Sequence, residues 1–77
     1  MQELIEKLPE NIRKRIIHLS TLVYEYRIEG KRLDELSVLD MATGYVRGLL
    51  DCEVVTVEER SKILEYIFEG GAKTCGM

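Results

Sequence analysis

The sequence predicts an all-α protein, a three-helix antiparallel bundle or helical hairpin with a long first helix. Three observations predict it. Apolar residues recur at steps of three and four along most of the chain, and strand-like alternation is absent. Gly- or Ser/Thr-marked breaks separate the periodic stretches. Thr56-Val57-Glu58-Glu59, a capping signature, opens the last of them.

The first helix is predicted over about 9–29. Proline in a first turn gives up an amide that has no helical partner there, and its fixed φ suits the helix. Glu10 then lies near the positive end of the helix dipole. Residues 2–8 form either a preceding turn or an extension of this helix. Ile12, Ile16, Leu19, Val23 and Tyr26 make one continuous seam. Leu8, Ile17 and Leu22 add apolar surface beside and behind it, more than one antiparallel neighbour needs, so this helix is either central in the fold or partly an interface. Gly30 ends the helix, with Arg27 near its last turn.

The second helix is predicted over about 37–52. Ser37-Val38-Leu39-Asp40 reads as a capping box in its weaker Asp form, with Leu36 and Met41 as a hydrophobic staple; a start near Leu33 is the alternative. Its core face is Leu39, Ala42, Val46 and Leu49, flanked by Val38, Tyr45 and Leu50. Gly44 and Gly48 each cost about 1 kcal/mol relative to alanine inside a helix. They share one face and leave a flat strip for close packing, within the monomer or across a subunit interface. The third helix is predicted over about 57–69, capped by Thr56 with Glu59 in the capping-box position. Val57, Leu64, Ile67 and Phe68 form its inward face, with Ile63 beside it. Gly70-Gly71 stops it, and 70–77 reads as a flexible tail. Short links between helices favour antiparallel neighbours.

At 77 residues the chain reads as a single domain, 1–77, with a thin core. Its composition, 45% apolar and 32% charged, suits a folded domain rather than a disordered one. The longest apolar runs are too short to span a bilayer, and Arg47 and Asp51 bar a membrane role for the Gly44–Gly48 pair. The N-terminus lacks a basic-then-apolar signal layout, so a cytoplasmic protein is expected. Cys52 reads as a reduced, semi-buried small residue and Cys75 as part of the tail, with a disulfide between them disfavoured in a reducing cytosol.

Candidate chemistry is sparse. His18 is the only histidine, and residues two apart on a helix point away from each other, so it does not pair with Ser20. Glu58 and Glu59 diverge on a helix and serve capping rather than acid–base work. No catalytic residues, cofactor or metal site are expected. The best candidates for touching an anion are Arg13, Lys14 and Arg15 at one end of the first helix and Arg27, Lys31 and Arg32 at the other, with Tyr24 and Tyr26 near to stack on a base. Residues 10–32 carry six basic and three acidic side chains, whereas 33–69 carry three and nine. That asymmetry allows head-to-tail association or a basic partner on the acidic half, such as the groove of a nucleic-acid enzyme. A pI of about 5.1 argues against general DNA binding.

The stretch from Leu49 to Leu64 places a leucine-bearing helix, a turn, the Val55-Thr56-Val57-Glu58-Glu59 start and a further helix in succession. It faintly resembles short helical interaction modules of the SHOCT type, over a limited part of the chain, without the glycine usual in that turn. The resemblance implies oligomerisation. From the residues themselves the expectation is a non-enzymatic interaction protein. Ile12, Ile16, Leu19, Val23, Tyr26, Gly44 and Gly48 would form its interface with another copy or a larger protein, which it inhibits or sequesters. A small phage or mobile-element accessory protein, of an anti-defence kind, suits that size and style. The alternative is a binder of a nucleotide or other anionic ligand through the basic clusters of the first helix.

Overall fold

The computed structural model describes residues 2–71. Among them are four helices, α1 (Gln2–Lys7), α2 (Glu10–Ile28), α3 (Arg32–Asp51) and α4 (Val57–Phe68). The predicted helices are α2, α3 and α4, each of which packs against the other two. The all-α class is as expected, but the helix count is not.

The additional helix arises at Pro9. Proline disfavours helical geometry in the residue before it, and Leu8 accordingly leaves the helix, its N–H donating to the Ile5 carbonyl at 3.2 Å. Pro9 itself is extended (φ −52°, ψ 149°), so it stands at the N-cap and α2 starts one residue later than predicted. Ile5 and Leu8 are buried. They anchor α1 near the start of α4, where Glu3, Leu4 and Lys7 share a shallow depression with Glu59 and Lys62.

The second predicted helix begins at Arg32, five residues before the Ser37-capped start and next to the alternative start near Leu33. Gly30 takes a left-handed conformation (φ 73°), and the Lys31 N–H donates to the Tyr26 carbonyl at 2.9 Å. This is a Schellman closure, which ends one helix and reverses the chain in very few residues. No loop is left for Ser37 to cap, and it lies exposed inside α3. Asp34 and Glu35 occupy the first turn instead, near the positive end of the dipole.

The core joins Ile16, Leu19 and Val23 of α2, Val38, Ala42, Val46 and Leu49 of α3, and Ile63, Tyr66 and Ile67 of α4, with Ile5, Leu8 and Val55 closing one end. Thr56 caps α4 as expected: its Oγ1 accepts from the Glu59 N–H at 3.2 Å, and the Glu59 carboxylate accepts from the Thr56 N–H at 2.8 Å. The inward face of α4 differs from expectation. Ile63 and Ile67 are fully buried, Leu64 is partly so, and Val57 and Phe68 are 59% and 40% exposed. The helix is turned by about 100°, one residue's rotation at 3.6 residues per turn. Either phase presents an apolar stripe, and packing against α2 and α3 selects the one containing Tyr66. Of the expected tail, Gly70 and Gly71 are buried; Cys75 and the rest of 72–77 lie outside the described residues.

Candidate interaction surface

The seam of α2 is interior. Ile16, Leu19 and Val23 are 0–3% exposed within one copy, and Ile12 and Tyr26 pack partly buried at its ends. Its width is matched by two neighbours, α3 and α4, in place of one. Ile16, Leu19 and Val23 thus hold the monomer together.

Gly44 and Gly48 behave the opposite way. Both are exposed, and a methyl group built on either meets nothing within 4 Å, so they are not a close-packing pair inside the monomer. The close approach occurs at Gly70. Its φ is 65°, and a Cβ there would lie 2.9 Å from the Cβ of Tyr24 and 3.3 Å from its Cα. The C-terminal end of α4 thus rests directly on α2.

The basic residues of the two expected clusters divide between α2 and the start of α3, and several are engaged in other contacts. Arg27 is structural: its guanidinium donates to the Glu35 carboxylate at 3.0 Å and to the Phe68 carbonyl at 2.6 Å. Lys14 pairs with Glu10 at 3.0 Å, and Lys31 reaches Glu29 at 3.7 Å. Arg15 lies over the Tyr45 ring, 6.0 Å from its centroid. Arg13 is half-buried, Arg32 is exposed, and Tyr24 is half-buried against Gly70. His18 is exposed, whereas Ser20 is buried with its hydroxyl donating to the Tyr66 carbonyl at 3.4 Å. Cys52 is exposed rather than semi-buried, because α3 ends beside it and Val55 takes the core position. No cluster of His, Cys, Asp and Glu suited to a metal occurs among the described residues, and none of their helices is long and apolar enough to cross a membrane.

The structure assembles a groove that sequence reasoning missed. Thr43, Arg47, Leu50 and Asp51 of α3 face Arg60 and Leu64 of α4 around a space of about 470 Å³. Positions 36, 39, 43, 47 and 50 share one side of α3 by helical spacing, and 57, 60, 64 and 68 share one side of α4. Beyond the groove's own lining, the same sides carry Leu36 and Leu39 on α3 and Phe68 on α4. Leu36 is 43% exposed, and Leu39 and Leu64 are partly exposed. Arg47 and Arg60 have no carboxylate within 4.0 Å among the described residues, and the buried Nε of Arg60 has no hydrogen-bond acceptor. The available signal was the Val57/Leu64/Phe68 stripe, which was assigned to the core instead of to this wall.

The fold and surface define an all-α protein with a partly apolar, partly basic groove between two helices. Comparison with protein-family models, curated proteins and solved structures returns no match.

Proposed function

We propose that this protein is a small non-enzymatic interaction module that binds another polypeptide, a second copy or a larger protein, and inhibits or sequesters it. The observation that supports this reading is the apolar surface left uncovered where α3 meets α4. Leu36 and Phe68 are 40% or more exposed, on the helix sides that also carry half-buried Leu39 and Leu64. A contiguous apolar surface rimmed by polar residues is a feature of protein-binding sites. The expected interface shifts accordingly, from the α2 seam to the sides of α3 and α4 that carry Leu36, Leu39, Leu64 and Phe68.

The test combines light scattering with affinity capture from host cells. A concentration-dependent dimer, or a partner retained in stoichiometric amount, is expected for the native chain and lost in the Leu36→Asp/Phe68→Asp variant. Strict monomer behaviour with no retained partner overturns the reading.

A further inference from the structure

We infer that the α3–α4 groove receives an amphipathic helix of a partner protein, whose apolar side chains cover Leu36, Leu39, Leu64 and Phe68 and whose carboxylate meets Arg47 and Arg60. The inference rests on the interaction reading and specifies its site and partner chemistry.

The argument begins with the arginines. A guanidinium offers five N–H donors in a fixed fork that matches a carboxylate. Arg47 and Arg60 lie on opposite walls of one groove, and neither is within 4.0 Å of a carboxylate among the described residues. Arg60 is partly buried, and its enclosed Nε has no acceptor among the described residues. Elsewhere in the molecule Arg27 shows what a satisfied arginine looks like, with Glu35 and the Phe68 carbonyl as acceptors. Asp51 lines the groove but does not pair with either arginine, so two positive charges stand against one negative at this end. The chain as a whole carries −3. A local excess of positive charge in an acidic protein selects an acidic contact.

The other end of the groove sets the shape of the occupant. From Leu36 to Arg47 is eleven residues, about 16 Å at 1.5 Å per residue, or three helical turns. Apolar side chains at steps of three or four, followed by an acidic one, fit this order of contacts, which is how an amphipathic helix lies in a groove. A second copy pairing groove to groove offers the arginines no carboxylate from its own groove other than Asp51.

The test uses the full chain and a displayed library of random 16-residue helix-forming peptides. Selection on the native protein is expected to enrich apolar residues at steps of three or four, with Asp or Glu about a turn beyond them. The best peptide should bind Arg47→Glu at least tenfold more weakly, and Phe68→Ala likewise. Changing the peptide carboxylate to lysine should restore binding to Arg47→Glu, a coupling that a folding defect does not produce. Arg47 is exposed, so this variant should keep the native circular dichroism; Arg60→Gln is the second probe, with the same loss expected. Peptides without acidic enrichment, or peptides bound equally by native and Arg47→Glu protein, overturn the groove assignment while leaving a general interaction role intact. A dimer that buries Phe68 and excludes the peptide assigns the groove to a second copy and also overturns it. A strict monomer that selects no peptide removes both this inference and the interaction reading.

Discussion

Arg27 ties three helices together at one end of the bundle. Its carboxylate partner, Glu35, belongs to the first turn of α3, and its carbonyl partner, Phe68, is the last residue of α4. The Glu35 side chain is only 11% exposed, so loss of the guanidinium leaves a nearly buried carboxylate without its counter-charge. Hydrogen bonds to charged groups contribute about 1.5–3 kcal/mol each, and Arg27 is itself 46% exposed, which moderates the effect. Arg27→Ala should lower stability by about 2 kcal/mol in urea unfolding, and the added mutation Glu35→Leu should recover part of it. The glycines make a second residue-scale contrast. Gly70→Ala forces a side chain onto Tyr24 from a left-handed backbone and should lower the melting temperature clearly. Gly44→Ala and Gly48→Ala meet open space inside a helix, and each should raise stability by up to about 1 kcal/mol. Differential scanning calorimetry checks all three; a loss of stability at Gly44 or Gly48 contradicts the exposed placement.

At the scale of elements, the ends of α3 and α4 show how local chemistry shapes the groove. The Thr56–Glu59 box fixes the start of α4, and Thr56→Ala should cost about 1 kcal/mol. The turn before it contains Glu53 at φ 61°, where the N–H of Val54 donates to the Leu49 carbonyl at 2.9 Å. This is another Schellman closure, with a glutamate at the position that glycine occupies most readily. Glu53→Gly should therefore stabilise the protein by about 1 kcal/mol, because an L-residue in this conformation carries a strain of about 1–2 kcal/mol. Chemical denaturation of the two variants should show shifts of opposite sign. Only one of the two is legible in the sequence: Thr56-Val57-Glu58-Glu59 is a local capping pattern, whereas nothing at Glu53 marks it as left-handed.

For the molecule as a whole, the question is where the apolar surface goes. The α2 seam is enclosed by α3 and α4 of the same copy, so Ile16→Asp should abolish folding at every protein concentration rather than dissociate an assembly. Circular dichroism across a hundredfold range of concentration checks this; a folded Ile16→Asp monomer would contradict it. Helix periodicity, the core character of Val23 and Val46, and the cap at Thr56 follow from the order of residues, because each depends on neighbours three or four positions away. Tertiary structure decided the rest. The placement of α1 beyond the break at Pro9 depends on Ile5 and Leu8 having a core to enter. Gly70 rather than Gly44 marks a close crossing because of where α4 ends against Tyr24. The α4 phase, and with it the groove flanked by Arg47 and Arg60, depends on which of two similar apolar stripes packs better against α2 and α3. A linear pattern records that a helix has greasy sides; the arrangement of its neighbours determines which side meets the core and which meets a partner.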